Sequence, residues 1–179
     1  MFDSSSFLSK EPNQNVFIGE SRFGKGLFAQ KAFLKDEFII LFEGTVLSLQ
    51  KVMKTDIPFN TLQIAKGLYI DLQAPGVYAN HSCQPNAGLK NLALTAIKPI
   101  GQGEEIYYDY STTIDDKEEM NCACGGPSCR LIIGDFKDLP KKTRVCYLNL
   151  GIVLPFIAHQ FHSNGNKKHW NSKNSISSL

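Results

Sequence analysis

The chain has 179 residues, of which 42% are hydrophobic and 20% charged, a composition typical of one globular domain. No apolar run reaches the length of about 18 residues that a transmembrane helix needs, and the polar N-terminus lacks the pattern of a secretory signal, so we expect a cytoplasmic or nuclear protein without a membrane partner. Residues 1–140 carry 13 basic and 17 acidic side chains, whereas residues 141–179 carry six basic and no acidic ones. An acidic body argues against direct nucleic-acid binding and suits a cationic partner, although such charge can equally be solvated surface.

Short strands separated by glycines dominate the first part of the chain. After a polar, flexible N-terminus at 1–15, β-branched and aromatic runs predict strands at 16–18, 38–42, 67–71, 92–97 and 105–110, with a short helix at 45–55. Because little other helix is indicated, residues 16–112 are predicted to form a mainly β domain.

The composition changes after residue 112. Residues 113–139 begin with an acidic stretch and contain a cysteine cluster. Pro140 can open a helix that Gly151 ends, and a second apolar helix is predicted at 153–161, which makes 140–162 a helical appendage. Residues 163–179 are rich in Asn, Ser and Lys and are predicted to be a disordered basic tail.

Three cysteines lie within eight residues, as Cys122-x-Cys124-x4-Cys129. In a reducing compartment such spacing indicates a metal site rather than disulfides. Zinc takes four ligands in tetrahedral order, so a closed site needs one more from elsewhere in the chain. The candidates are Cys83, Cys146 and the histidines, and the alternative is a group of free thiols.

Three further segments carry polar or aromatic side chains in dense patterns. Residues 80–86, Asn-His-Ser-Cys-Gln-Pro-Asn, form either an Asx-rich turn or, if buried, a site for a polar ligand. A strand at 105–110 places Tyr108 and Tyr110 on one face, which suits an aromatic channel or an ordinary core strand. Gly24-Lys25-Gly26 permits close backbone approach to a ligand but lacks the spacing of a phosphate-binding loop.

In this order the motifs resemble those of the SET-domain protein-lysine methyltransferases. Residues 24–29, Gly-Lys-Gly-Leu-Phe-Ala, are similar to the first family motif, and residues 80–86 match NHSCxPN. Residues 103–110 match the GEE…DY motif, and residues 122–130 match the post-SET motif CxCx4CR. The resemblance covers about residues 16–139, with 113–139 as the post-SET zinc loop of a short, single-domain member.

The resemblance implies a fold and a set of ligands. The fold is that of small curved β-sheets with few short helices, in which a threaded pseudoknot brings the NHSC and DY segments side by side. The implied cofactor is S-adenosylmethionine, bound by Lys25, Gly26, Tyr78, Asn80, His81 and Ile133. The implied metal is zinc, bound by Cys83, Cys122, Cys124 and Cys129, which leaves Cys146 as a buried small hydrophobe in its helix.

The implied reaction transfers a methyl group to a lysine of a protein or peptide, which enters from the face opposite the cofactor. Tyr110 is implied as the catalytic tyrosine that orients the amine, and Tyr108 as the residue that restricts the product mainly to monomethyl-lysine. Phe42 departs from the family pattern, which often has Tyr there, and so does Ser111, where Gly is usual. These departures affect the expected shape of the channel.

Two other classes of function remain open. A catalytically silent SET module could bind a peptide or a partner protein, but the presence of Tyr110 and of Asn80-His81-Ser82 favours an enzyme. A zinc-stabilised nucleic-acid-binding protein would have to use the basic tail. A monomer is favoured.

Overall fold

The structure is a computed structural model that describes residues 15–54 and 60–165. Most of the predicted flexible N-terminus, and residues 166–179 of the predicted tail, lie outside the described residues. The last helix continues to Gly165, three residues into the predicted tail.

Short strands and three helices make up the described part of the chain. The strands are β1 Val16–Ser21, β2 Gly24–Ala29, β3 Phe38–Leu41, β4 Gly44–Ser48, β5 Thr61–Ala65, β6 Leu68–Leu72, β7 Asn80–His81, β8 Ala87–Lys90, β9 Ala93–Ala96, β10 Tyr107–Tyr108, β11 Met120–Asn121 and β12 Ile132–Ile133. The helices are α1 Leu49–Val52, α2 Lys141–Leu150 and α3 Pro155–Gly165, and there are 3-10 turns at Gly76–Tyr78, Tyr110–Thr112 and Phe136–Asp138.

The strands form five small sheets. They are the antiparallel pairs β1–β2 and β11–β12, the three-stranded sheets β3-β9-β8 and β4-β6-β5, and the parallel pair β7–β10. The parallel pair joins Asn80 to Tyr107 and His81 to Tyr108. This arrangement confirms the predicted mainly β fold of small sheets and places the NHSC and DY segments side by side.

The helix predicted at 45–55 is largely wrong. Residues Gly44–Ser48 form a strand that pairs with β6, and only Leu49–Val52 are helical. The two strands are close together where β4 begins. A Cβ atom on Gly44 would overlap the carbonyl oxygen of Asp71, so this position requires glycine. Thr45 and Val46 are β-branched, which suits a strand better than a helix.

The strand predicted at 105–110 ends earlier than expected. Only Tyr107 and Tyr108 pair in the sheet, and Tyr110 begins a 3-10 turn. The carboxylate of Asp109 accepts a hydrogen bond from the backbone N–H of Ser111 at 3.1 Å, which caps the turn. The chain therefore bends directly before the predicted catalytic tyrosine.

The C-terminal helices pack against the sheets. The predicted helix after Pro140 is present as α2, and Gly151 ends it with a φ of 67°, the left-handed conformation that glycine adopts readily. Ile152 lies so close to β8 that a Cβ atom on Gly88 would be 2.6 Å from its Cγ2. Cys146 is exposed, so its predicted burial is wrong, because the adjacent Tyr147 is the residue of α2 that faces the core.

The described residues form three clusters of buried hydrophobic side chains. One lies between the sheets, one between α2, α3 and the turn at Phe136–Asp138, and a small third one contains Cys83, Cys122 and Ile133. None of the helices in the described ranges has the length and apolar character needed to cross a membrane.

Candidate active site

The parallel pairing of β7 with β10 is continued by hydrogen bonds on both chains. The backbone N–H of Ser82 donates to the carbonyl oxygen of Tyr108 at 3.1 Å, and that of Tyr110 donates to Nδ1 of His81 at 3.2 Å. Burial lowers the pKa of His81 to about 4, although the nearby carboxylate of Asp109 opposes the shift. The ring is therefore neutral at pH 7, with Nδ1 as the acceptor and the proton on Nε2.

Phe42, Tyr108 and Tyr110 form a cluster of aromatic rings at the end of β10. The ring centroids of Tyr108 and Tyr110 are 4.8 Å apart, and Phe42 meets Tyr108 edge-on at 5.6 Å. The hydroxyl of Tyr110 donates to the carbonyl oxygen of Ala79 at 3.0 Å. Burial raises the pKa of Tyr110 to about 12 and that of Tyr108 well above its ordinary value, so both phenols stay protonated at neutral pH.

Tyr110 lines two cavities. The larger has a volume of about 570 Å³, and its lining includes Leu62, Gln63, Tyr69, Ala79, Tyr108 and Tyr110. The smaller has a volume of about 240 Å³, and its lining includes Phe23, Asn80, His81, Tyr110, Ala123 and Ile133. Met120 also lines both cavities, so they meet beside Met120 and the side chain for which the resemblance implies a catalytic role.

Three of the six predicted cofactor residues, Asn80, His81 and Ile133, line the smaller cavity. The other three lie beside it. The amide of Asn80 donates to the carbonyl oxygen of Lys25 at 3.1 Å, and the Lys25 ammonium lies 5.8 Å from the centre of the Tyr78 ring. Gly26 faces Glu105, and a Cβ atom on Gly26 would overlap the Glu105 carboxylate.

The smaller cavity also has wall residues that the sequence analysis did not single out, namely Phe23, Met120, Asn121 and Ala123. Phe23 is 40% exposed and directly precedes the Gly24-Lys25-Gly26 motif. Its position beside this motif could have identified it as a site residue. The others belong to the predicted post-SET zinc loop at 113–139, called the Cys loop below, in which only the cysteines and Ile133 were assigned roles.

Three cysteines of the Cys loop, Cys122, Cys124 and Cys129, lie close to Cys83 of the NHSC segment. The Sγ atoms of Cys83 and Cys122 are 3.7 Å apart and those of Cys122 and Cys129 are 3.6 Å apart. The ligand atoms of Cys124, Cys83, Cys122 and His81 all lie within 4.8 Å of one another. All five cysteines of the chain are free thiols. A tetrahedral zinc site with Zn–S bonds of 2.3 Å has S···S edges of about 3.8 Å, and the two S···S distances given above match this value.

His81 is the competing ligand, because its Nε2 lies 3.4 Å from Sγ of Cys83. Since Nδ1 accepts the hydrogen bond from Tyr110, the neutral ring carries its proton on Nε2 and cannot offer a lone pair there. This favours Cys129 over His81 as the fourth ligand.

The Cys loop is fastened to the rest of the domain at two points. Arg130 donates two hydrogen bonds to the buried carboxylate of Asp109, at 2.7 and 2.8 Å. Arg22, from the β1–β2 turn, donates to the carbonyl oxygens of Ala123 and Cys124 at 2.6 and 3.1 Å. These contacts hold the loop as one wall of the smaller cavity.

Comparison with known proteins identifies a known domain in the chain. The SET domain model matches residues 24–111, so this part of the chain is a SET domain, and the Cys cluster is consistent with a post-SET zinc motif. The chain is 30% identical over 130 residues to histone-lysine N-methyltransferase ash1 of Drosophila melanogaster, a match that covers 62% of this chain and 6% of that protein.

Other relatives have similar names. The H3 lysine-36 specific histone-lysine N-methyltransferase of Schizosaccharomyces pombe is 30% identical over 139 residues, covering 67% of this chain and 17% of that protein. Human histone-lysine N-methyltransferase 2D is 28% identical over 145 residues, covering 69% and 3%. The chain thus spans only a small part of each of these relatives.

Among solved structures, a humanized mutant of the Chaetomium thermophilum Polycomb Repressive Complex 2 with a bound inhibitor matches with a TM-score of 0.50 and 24% identity. The match covers 59% of this chain and 16% of that one. It supports the SET fold of the present chain.

Proposed function

We propose that this chain is an S-adenosylmethionine-dependent protein-lysine N-methyltransferase. The observation that carries the proposal is that Tyr110 lines both cavities. A methyl donor in one cavity and a lysine side chain in the other would meet at its hydroxyl. The names of the relatives, which are histone-lysine methyltransferases, favour the same reaction.

The smaller cavity is the proposed cofactor site. Asn80, His81 and Ile133 would contact the cofactor, while the backbone near Lys25 and Gly26, together with Tyr78, would complete the site. S-adenosylmethionine supplies a sulfonium-bound methyl group when bound there. The Cys loop supplies a large part of the cavity wall, so the order of this loop should govern cofactor affinity.

The larger cavity is the proposed lysine channel. A lysine amine has an ordinary pKa of about 10.4 and must lose its proton before it can attack the methyl carbon. The aromatic walls formed by Tyr108 and Tyr110 exclude water, and the resulting desolvation lowers the pKa of an amine. Once the amine is neutral, its nitrogen can form the new bond to carbon while the sulfur keeps the electron pair of the bond that breaks.

Tyr110 is proposed to orient the amine rather than to remove its proton. Its hydroxyl proton is donated to the carbonyl oxygen of Ala79, which leaves an oxygen lone pair free to accept an amine N–H. That contact would point the amine lone pair toward the smaller cavity. Because burial holds the pKa of Tyr110 at about 12, the phenol stays neutral, and alignment is its main contribution.

A zinc ion held by Cys83, Cys122, Cys124 and Cys129 is proposed to stabilise the Cys loop. Burial raises the pKa of the Cys83 thiol and of the Cys122 thiol, whereas at Cys124 hydrogen bonds from backbone amides and neighbouring thiols outweigh burial and lower the pKa to about 6. Zinc would displace the remaining protons, because thiolates are its ligands.

The product is proposed to be mainly monomethyl-lysine, because the Tyr108 hydroxyl narrows the channel beside Tyr110. Phe42 acts in the opposite direction, since it lacks a hydroxyl. The substrate is proposed to be a protein lysine, with histones as candidates on the strength of the relatives' names, and the same names favour a nuclear location.

Incubation of the purified chain with isotopically labelled S-adenosylmethionine, core histones and a protein lysate tests the proposal. We expect label on lysine in at least one protein and none with Tyr110→Phe. The competing function is a silent SET module that binds a peptide. Tight cofactor or peptide binding without any label transfer would support that module and overturn the proposal.

A further inference from the structure

The C-terminal helix α2 touches the active-site segment through one hydrogen bond. The hydroxyl of Tyr147 donates to Oδ2 of Asp109 at 3.1 Å, and Asp109 directly precedes Tyr110. The residue Tyr147 lies outside the part of the chain that the SET domain model matches, residues 24–111. The contact joins two segments that are 38 residues apart.

Asp109 is a fully buried carboxylate, with a side-chain exposure of 0%. Such a group is costly to bury unless its oxygens are satisfied by donors. Oδ1 accepts from Arg130 at 2.7 Å and from the backbone N–H of Ser111 at 3.1 Å, and Oδ2 accepts from Arg130 at 2.8 Å and from Tyr147. The hydroxyl of Tyr147 is therefore one of two described donors that fix Oδ2.

The carboxylate links three parts of the site. Arg130 also donates its backbone N–H to Sγ of Cys83 at 3.4 Å, so the ion pair connects the cysteine cluster to the DY segment. Nδ1 of His81 lies 3.6 Å from Oδ1. Any shift of this carboxylate would move the Tyr110 backbone, which follows it in the chain, together with the wall of the smaller cavity.

Tyr147 is well placed to hold Asp109, because it is itself immobilised. Its side chain is 6% exposed and packs in the cluster formed by α2, α3 and the turn at Phe136–Asp138. Beyond α2, the backbone N–H of Leu154 donates to the carbonyl oxygen of Thr112 at 3.2 Å. Helix α2 and the segment that follows it thus contact the 3-10 turn that contains Tyr110 at its two ends.

We infer that Tyr147 is a positioning residue for the methyl transfer, acting through Asp109 on Tyr110. This inference rests on the proposed function. Without the hydroxyl, Arg130 still neutralises the carboxylate, so the domain should fold and bind its cofactor. However, Oδ2 loses a donor, the carboxylate can rotate, and Tyr110 no longer holds one orientation. Rates of bond formation are sensitive to such displacements, whereas binding is less so.

The test compares wild type, Tyr147→Phe and Val145→Ala, a control at an exposed position of the same helix. For Tyr147→Phe we expect kcat to fall by about tenfold, with cofactor Kd by calorimetry, zinc content and peptide KM within about twofold of wild type. Val145→Ala should match wild type throughout. An unchanged kcat in Tyr147→Phe would overturn the inference, as would a fall accompanied by equal losses of cofactor or zinc binding.

A double-mutant cycle with Asp109→Asn separates action through Asp109 from a general effect. If Tyr147 acts through the carboxylate, Tyr147→Phe should change kcat by less than about twofold in the Asp109→Asn background. A tenfold fall in both backgrounds would contradict the inference. If Asp109→Asn does not fold, the comparison of the single variants decides. Absence of methyl transfer by the wild-type chain would instead refute the proposed function, which keeps the two failures distinct.

Discussion

The backbone N–H of Tyr110 donates a hydrogen bond to Nδ1 of His81 at 3.2 Å. A residue in the wall of the smaller cavity therefore fixes the backbone of the residue that faces both cavities. The ring centroids of the two side chains are 5.2 Å apart, and the neutral state of the buried imidazole preserves the hydrogen bond. A substitution in the cofactor site should thus alter the lysine channel, and a substitution in the channel should alter the cofactor site.

The zinc proposal predicts different outcomes for two cysteine variants. Cys83→Ser should lower the zinc content below one per chain and weaken cofactor binding, because the Cys loop loses the ligand that ties it to the NHSC segment. Cys146→Ser is the matched control, since this cysteine is exposed on α2 and distant in the chain from the cluster. Metal analysis and calorimetry give both values. Freshly purified, reduced wild-type protein without zinc would contradict the proposal.

The pH dependence of kcat should reflect the amine and not Tyr110. Burial raises the pKa of Tyr110 to about 12, above its ordinary value of about 10, so the phenol keeps its proton as the pH rises through 10. We expect kcat to rise with pH as the lysine loses its proton and then to level off, without a descending limb near pH 10. Initial rates between pH 7 and 10.5 provide the measurement. A fall centred near pH 10 would show that Tyr110 titrates at its ordinary value.

Tyr108→Phe should shift the product toward higher methylation. Tyr108 lines the larger cavity, and removal of its hydroxyl should give a methylated amine room to rotate and react again. A difference of about 1.4 kcal/mol between the barriers changes the rate of the second transfer tenfold. Mass spectrometry of a product peptide at long reaction times gives the ratio of the products. Abundant trimethyl-lysine from wild type would mean that Phe42 determines the channel width instead.

The packing of the C-terminal helices on the sheets can be tested at Gly88. A Cβ atom there would be 2.6 Å from Cγ2 of Ile152, and overpacking of this kind costs about 1–3 kcal/mol. Gly88→Ala should therefore lower the free energy of unfolding by that amount. At Gly101 the nearest contact to an added Cβ is an ordinary 3.7 Å, so Gly101→Ala should change it little. Equal stabilities of the two variants in urea titrations would contradict close packing of Ile152 on β8.

Motif order made much of the candidate site predictable, whereas contacts between distant segments were not. The resemblance placed Asn80 and Tyr108 in adjacent segments, and the observed parallel pairing agrees. The contact between Tyr147 and Asp109 has no sequence signal, because it depends on how α2 packs. The error at 45–55 has the same origin, since the strand there is defined by its pairing with β6. The roles of the individual site residues stay predictions until variants are measured.

The central claim is that Tyr110 aligns an amine from one cavity with a methyl group in the other. Removal of the Tyr110 hydroxyl tests this claim most directly. Tyr110→Phe is to be compared with Tyr107→Phe, a change on the same short segment at a residue absent from the described lining of either cavity. We measure kcat for methylation of a lysine-containing peptide and Kd for S-adenosylmethionine. The account predicts that Tyr110→Phe lowers kcat by about a hundredfold or more while Kd changes by less than about threefold, and that Tyr107→Phe retains most of the turnover. Wild-type turnover in Tyr110→Phe would contradict it.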